Sequence, residues 1–420
     1  MSDLQDISVT EALALILGDV AVLSTEEIPL LMTLNRVLAE PIVAGDQLPP
    51  FPNSAMDGFA LRAADVCTAT RENPATLEVI GEIAAGSAPD LTIVPGSAVR
   101  IMTGAPVPEG ADAVVPVEDT TEPIGQVWQP PPTQVTVFRA VSAGDYVRQA
   151  GEDVQAGKMV LSAGTRIRPQ EIGLMASLGV ASASVVRQPR VGILATGDEL
   201  VGLDDSLSKG KIRNSNSFAQ AAQVIEAGGS PLLLGVARDS VSDLRERLAE
   251  GLEKGVNVFV SSAGVSVGAY DVVKHLLESE GRVRFWRVRM RPGKPLTFGD
   301  YVGVPYFGLP GNPVSAMVSF ERFVRPALLK MGGHADLVRP KVAVSLSGEI
   351  DSDGRESYVR AYVHKTEEGY VATPTGLQGS HMMTSLTEAN ALVIVPEGKE
   401  SVSHGTQLMA MMLEWPNAIF

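Results

Sequence analysis

Apolar and polar positions change rhythm several times along the 420-residue chain. Near the start, Ser8-x-x-Glu11 leads into an apolar run from Ala12 to Val20, which predicts a helix opened by a capping box. A second helical pattern spans Leu30 to Ala39 and stops at Pro41. From Ile42 to about Val147 the texture becomes short apolar stretches between turns, such as "LEVIGEIAAG", "DAVVPVED" and "TQVTVFRAV", and predicts a β-rich module. Residues 148–186 return to Gly-punctuated loops with one helix, opened by Pro169 and closed at Gly179. The stretches on either side of the β module therefore read as one unit with the module inserted.

Past residue 190 the rhythm is regular. Strand "RVGILATG", helix "NSFAQAAQVIEAGG", strand "PLLLGVARD", helix "SVSDLRERLAEGLEKG", strand "VNVFVSSAG" and helix "YDVVKHLLESEG" follow in turn. Strands around Phe298 and Phe307 and one long helix, "PVSAMVSFERFVRPALLKM", come next. Alternation of this kind predicts a mainly parallel, doubly wound α/β sheet, whose ligand crevice lies at the carboxyl ends of the strands. Residues 336–420 lack long helical patterns apart from "MTSLTEAN" and predict a small all-β domain.

One stretch departs from this scheme. "RVRFWRVRMRPGKP" places Arg282, Arg284, Arg287, Arg289, Arg291 and Lys294 together in a chain of formal charge −15. Val283 and Phe285 alternate with arginines, and after Trp286 the phase slips by one to Val288 and Met290, as in a bulged strand. The earlier arginines read as the solvated face of that strand. In "RPGKP", two prolines and a glycine stiffen a turn that holds Arg291 and Lys294 in place for an anion.

Composition narrows the chemistry. A single cysteine, Cys67, excludes a disulfide framework and a cysteine-ligated zinc site, and fits a reducing compartment. The acidic N-terminal segment lacks the basic region of a signal peptide, and no apolar run has the length of a membrane span. A cytoplasmic protein without direct membrane insertion is expected. The net negative charge argues against nonspecific nucleic-acid binding.

Candidate chemistry collects where the α/β strands end. The turns there carry Thr196-Gly197-Asp198-Glu199, Arg238-Asp239-Ser240, Ser261 to Gly268 with Asp271 beyond, Arg291-Pro292-Gly293-Lys294, and Gly308 to Pro313. Glycines let a backbone approach phosphate, and N–H groups at helix starts bind it. Arg291 and Lys294 would neutralise that charge. Carboxylates facing phosphate need a hard cation between them, so Asp198, Asp239 and Asp271 imply Mg²⁺; as an alternative, Asp at such positions caps helices. Neither G-x-x-x-x-G-K-[ST] nor G-x-G-x-x-G occurs. The β module adds Asn53 to Gly58 and Arg100 to Pro106, and Gly151-Glu152-Asp153 follows it.

Taken in order, "PPFPNSAMDGFALR", "RIMTGAPVPEGADAVVPVED", "GEDV", "PRVGILATGDEL", "SSAGVSVGAYD", "RPGKP" and "GLPGNPVSA" resemble the molybdopterin molybdenumtransferase family, which includes bacterial MoeA proteins and the gephyrin E domain. The resemblance runs from about residue 5 to 415. It implies an elongated discontinuous domain (1–45 and 147–186), an inserted β domain (46–146), an α/β molybdopterin-binding domain (187–332) and a small C-terminal β-barrel domain (336–420). It also implies a homodimer that inserts molybdenum from molybdate into adenylylated molybdopterin, with Mg²⁺ and release of AMP.

Carried onto this chain, the resemblance gives Asp57, Thr103, Glu152, Asp198 and Asp239 catalytic roles, with Asp198 and Asp239 on the metal. Substrate binding falls to Gly197, Ser262, Gly264, Ser266, Asp271, Arg291, Lys294, Pro310, Asn312, Ser315, Arg360 and Ser380. The family's usual K-P-G-K-P has Arg291 in its first lysine position here, Ala263 replaces a common Gly, Ser240 a common Asp, and Ala361 the usual Gly after Arg360. Gephyrin also clusters receptors, so the resemblance leaves a second expectation open: a scaffold that binds the peptide tail of a membrane or cytoskeletal protein, with or without transferase activity.

Overall fold

The structure, a computed structural model, describes residues 6–122, 130–238, 240–262 and 272–415. The first helix, Val9–Asp19, opens as expected: Ser8 Oγ accepts from the Glu11 N–H, and the Glu11 carboxylate accepts from the Ser8 N–H. Its buried face (Val9, Ala12, Ile16) belongs to the same core as the α/β sheet.

The helix expected over Leu30 to Ala39 does not form. Only Leu30–Thr33 makes a 3₁₀ turn. Asn35 then adopts φ +64, which ends any helix, and Val37 and Leu38 bridge to Arg166 and Val185. Pairing with distant parts of the same chain has overridden local propensity. The segment is tied to residues far along the chain: Thr25–Pro29 pairs antiparallel with Ser182–Val186, and Ile42–Val43 with Met159–Leu161. Between these pairings lies a five-stranded sheet in the order Ala113–Pro116, Gly58–Leu61, Ser97–Ile101, Ala75–Ile83, Gln134–Val137.

The α/β sheet has six strands, ordered Ser230–Ala237, Arg190–Thr196, Val258–Ser262, Val304–Leu309, Pro295–Tyr301, Gly281–Arg287. The first four are parallel, Pro295–Tyr301 runs against them, and Gly281–Arg287 pairs antiparallel with it. Helices cover both faces, one core holding Ile193, Val260 and Phe307, the other Leu194, Phe259 and Tyr306. The arginine-rich strand carries its expected irregularity slightly early, since the register shifts on both sides of Phe285. Val283 thus packs against one core while Phe285, Val288 and Met290 enter the other. The long helix after residue 312 is interrupted. Phe320–Val324 is a π segment between Pro313–Ser319 and Arg325–Met331, and Pro326, which has no N–H to donate, sits just beyond it.

The C-terminal region closes into a five-stranded barrel. Glu356–Thr366 pairs with Gly369–Pro374, which pairs with Lys341–Leu346, then Gln407–Met412, then Ala391–Val395, which returns to Glu356–Thr366. Its interior is aliphatic, built from Val344, Ala361, Val363, Val393 and Ala410. The residue expected to vary, Ala361, is one of these interior side chains. Met290–Arg291, just beyond the arginine-rich strand, adds a parallel pair to the barrel strand Glu356–Thr366. That pairing seats the barrel beside the strand ends of the α/β sheet.

Candidate active site

The basic stretch divides in two. Arg284 makes a two-pronged ion pair with Asp19 (2.6 and 2.7 Å), Arg282 bonds Asp300 at 3.0 Å, and Arg289 bonds Glu397. These arginines fasten the strand to its neighbours. Beyond them the chain turns through a cis Arg291–Pro292 bond into Gly293. Gly293 has φ +110, and a Cβ there would meet Ser319 Oγ at 2.6 Å, so only glycine lets the turn lie this close to the helix. Arg291 has a single long contact, Nη1 to the Asp351 carbonyl at 3.4 Å, and Lys294 is exposed. Neither has a carboxylate partner among the described residues.

Both cations line a cavity of about 550 Å³ between the α/β strand ends and the barrel. Its walls bring together five expected residues, Arg291, Lys294, Ser315, Arg360 and Ser380. Arg360 dominates its electrostatics. It is 1 % exposed and bonds only neutral acceptors: Nε donates to Ser385 Oγ (3.1 Å), and Nη2 to the carbonyls of Leu377 (3.3 Å) and Gly379 (3.0 Å). The two N–H groups of Nη1 have no acceptor among the described residues. Burial pushes the Arg360 guanidinium down to about 10, and the positive charge of Arg291 adds to the effect. A buried cation without a counterion is costly, and a bound anion would relieve that cost.

Sequence reasoning missed several residues of this wall. Arg355 is held by Asp353 and donates through Nη1 to the Met290 carbonyl at 3.0 Å, tying barrel to sheet. Tyr358 lies under the Arg322 guanidinium, 5.4 Å from the ring centroid, and Gln378 packs against the Arg360 backbone. The alternation of "RESYVR" marked a strand, but nothing local marked which face meets a cavity.

A second cavity, of about 610 Å³, shares Pro295 with the first and opens at the carboxyl ends of the parallel strands. Ser262, Pro310 and Asn312 line it as expected, together with Glu199, Arg213, Asn214 and Asn216. Gly197 is buried at the end of its strand, and the neighbouring Asp198 is exposed, with no acceptor or donor on its carboxylate among the described residues. Asp239, Gly264, Ser266 and Asp271 lie outside the described residues, as does Ala263. Ser240 caps the Val241–Glu253 helix, accepting from the Asp243 N–H at 3.2 Å. Of the three carboxylates expected to face Mg²⁺, only Asp198 is among the described residues, and among these no group of three or more His, Cys, Asp or Glu side chains converges.

The remaining expected residues sit elsewhere. Asp57 Oδ1 accepts from both the N–H (2.7 Å) and the hydroxyl (2.8 Å) of Thr103, joining the two turns of the inserted sheet. Glu152 closes its own turn, accepting from the Gln149 N–H at 2.9 Å. None of the three lines either cavity.

Comparison with known proteins bears on this geometry. Three family models match in order: the MoeA N-terminal region, domains I and II, at residues 7–179; the "Probable molybdopterin binding domain" at 192–330; and the MoeA C-terminal region, domain IV, at 343–413. The molybdopterin molybdenumtransferase of Bacillus subtilis is 40% identical over 93% of this chain and 92% of its own length. That of a Nostoc species is 38% identical over 93% and 89%. Among solved structures, the molybdopterin biosynthesis MoeA protein of Pyrococcus horikoshii superposes with a TM-score of 0.79 at 31% identity, over 97% of this chain and all of that one. From the first helix to the barrel, the chain belongs to the MoeA family.

Proposed function

We propose that this protein is a molybdopterin molybdenumtransferase that inserts molybdenum from molybdate into adenylylated molybdopterin, with Mg²⁺, releasing AMP. The observation that carries this reading is Arg360, a buried guanidinium without a carboxylate among the described residues, sharing one cavity with Arg291 and Lys294. A tetrahedral dianion matches three such cations and the hydroxyls of Ser315 and Ser380. The adjoining cavity at the strand ends, with Ser262 and Asn312 in its wall, would take the pterin and its phosphate beside the oxyanion. In this reading Arg291, Lys294 and Arg360 hold and orient the oxyanion, and the closed barrel wall keeps water from the guanidinium.

Asp198 and Asp239 would carry Mg²⁺, and the exposed carboxylate of Asp198, without a partner among the described residues, supports one half of that assignment. The protein would act as a homodimer, which the exposed apolar Leu31 (78 %) and Met32 (66 %) support as a contact surface. A dimer would let the Asp57–Thr103 pair reach a cleft that it does not line within one chain. The test is reconstitution of the full chain with adenylylated molybdopterin, molybdate and Mg²⁺, scored by AMP release and by active cofactor. Cofactor formation that ignores molybdate concentration, or no AMP at all, would refute the reading.

A further inference from the structure

The barrel strand that carries Arg360 has a defect at that residue. Its neighbour Gly369–Pro374 pairs as far as Ala361 opposite Pro374 and then departs. The Arg360 carbonyl still accepts from the Thr375 N–H at 2.9 Å, but the Arg360 N–H has no strand partner. The side chain of Gln378 fills the gap. Its Oε1 accepts from the Arg360 N–H at 3.0 Å, and its Nε2 donates to the Arg360 carbonyl at 3.1 Å and to the Thr375 carbonyl at 2.7 Å. One amide thus reproduces the hydrogen bonding of a missing strand residue.

The same amide fixes the course of the loop from Thr375 to Ser380. Leu377 and Gly379, on either side of Gln378, turn their carbonyls onto Nη2 of Arg360. Ser380, next along, accepts from the Val314 N–H at 3.1 Å, which ties the loop to the α/β domain. With Nε and Nη2 occupied, the guanidinium plane is set and only the Nη1 edge remains for a ligand.

We propose that Gln378 is a positioning residue of the oxyanion site: by replacing the missing strand partner of Arg360 and holding the Leu377 and Gly379 carbonyls, it aims the free edge of the guanidinium into the cavity. The inference rests on reading that cavity as an oxyanion site. The hydrogen bonds of the Gln378 amide go to the Arg360 and Thr375 backbone, so its proposed effect on the site passes through Arg360. A charge-assisted contact made through Nη1 alone tolerates little misalignment, so loss of the amide should weaken binding roughly ten- to a hundredfold.

Calorimetric titration of the full chain with molybdate and with sulfate tests this, for wild type, Gln378→Ala, Gln378→Glu and Arg360→Met, with melting temperature recorded for each. Gln378→Ala should weaken both anions. It should also move the alkaline loss of sulfate binding, expected near pH 10 in wild type, to higher pH, because water reaches the guanidinium. Gln378→Glu keeps the acceptor for the Arg360 N–H but sets a carboxylate beside the guanidinium, and should bind both anions more weakly still. A purely structural glutamine would lower the melting temperature and leave affinity and pH profile alone. If Arg360→Met loses binding while Gln378→Ala stays within about twofold of wild type, the positioning role is wrong. If Arg360→Met itself binds like wild type, the oxyanion reading beneath it fails. Should Gln378→Ala not fold, Gln378→Glu decides, and wild-type affinity in that variant overturns the proposal.

Discussion

Two arginines, half-buried Arg339 and buried Arg360, flank the contact between the helical segment Pro313–Met331 and the C-terminal barrel, and they are solved in opposite ways. Arg339 is bonded by Glu321 at 2.7 Å and by Glu226 at 2.7 Å, and caps the Leu413 carbonyl at 2.8 Å. Burial alone would pull its guanidinium down, but the two carboxylates more than offset this and leave it raised. Arg360 lies deeper and has no carboxylate at all among the described residues. Each borders a cavity, about 430 Å³ at Arg339 and about 550 Å³ at Arg360. What differs is whether the charge is answered from within the fold. At Arg339 it is, and the residue is mortar. At Arg360 it is left for something from outside.

The sharpest way to break this comparison is to remove each charge with methionine, which keeps the apolar stem. Arg339→Met strands Glu321, whose side chain is only 7% exposed. Breaking a buried pair typically costs about 3–5 kcal/mol. The lower end is expected here, because Arg325 remains 3.9 Å from Glu321. The melting temperature should fall by several degrees, with oxyanion affinity unchanged. Arg360→Met strands no carboxylate and should leave the melting temperature level or raised. Its anion affinity should fall by about 1.5–3 kcal/mol per lost charge-assisted bond, or roughly ten- to a hundredfold. Equal melting shifts in the two variants would erase the distinction.

The fold behind this pair was largely legible. Strand–helix alternation after residue 190 gave the α/β sheet because burial on both faces leaves continuous apolar runs such as "VGILAT". The Leu30–Ala39 helix failed because pairing to Arg166 and Val185 lies more than a hundred residues away, where no local pattern reaches. The site was legible by halves. "RPGKP" announced fixed cations, since turn chemistry is local, and the resemblance marked Arg360 and Ser380. That Arg360 has no counterion among the described residues, or that Gln378 stands in for a strand, depends on where the loop after Pro374 goes, and composition cannot show it. The glutamate of "RPQEIG" likewise carries no local sign of its surroundings. In the structure the Arg168 guanidinium holds Glu171 down at about 2.

A smaller effect should come from pH. Arg360 binds an anion only while charged, and its folded value near 10 lies below the ordinary 12.5. Affinity for sulfate, which stays a dianion throughout, should therefore be level from pH 7 to 9 and decline as pH rises through about 10. Arg360→Met should lose the part of that step that belongs to Arg360, so the difference between the two profiles isolates it. Arg339 lies raised, so its ion pairs should not titrate in this range.

The smallest expected effect belongs to Arg291, and it tests how finely the cavity reads its cations. Arg291 sits at a turn with one 3.4 Å contact to the Asp351 carbonyl, so its charge contributes little to the fold. Arg291→Ala should leave melting unchanged and weaken molybdate by roughly tenfold, the lower end for one partly exposed charge-assisted contact. It should also let the Arg360 guanidinium rise, since Arg291 helps to depress it, and the alkaline step should move to higher pH. Arg291→Lys keeps the charge and loses only the planar fork. If the fork grips the oxyanion by two N–H groups, lysine should bind severalfold more weakly; if Arg291 acts as a point charge, lysine should match it. Molybdate titrations of wild type and the two variants, run beside the sulfate pH series, separate these cases. Three coincident curves would place Arg291 with Arg282 and Arg284, among the arginines that belong to the scaffold.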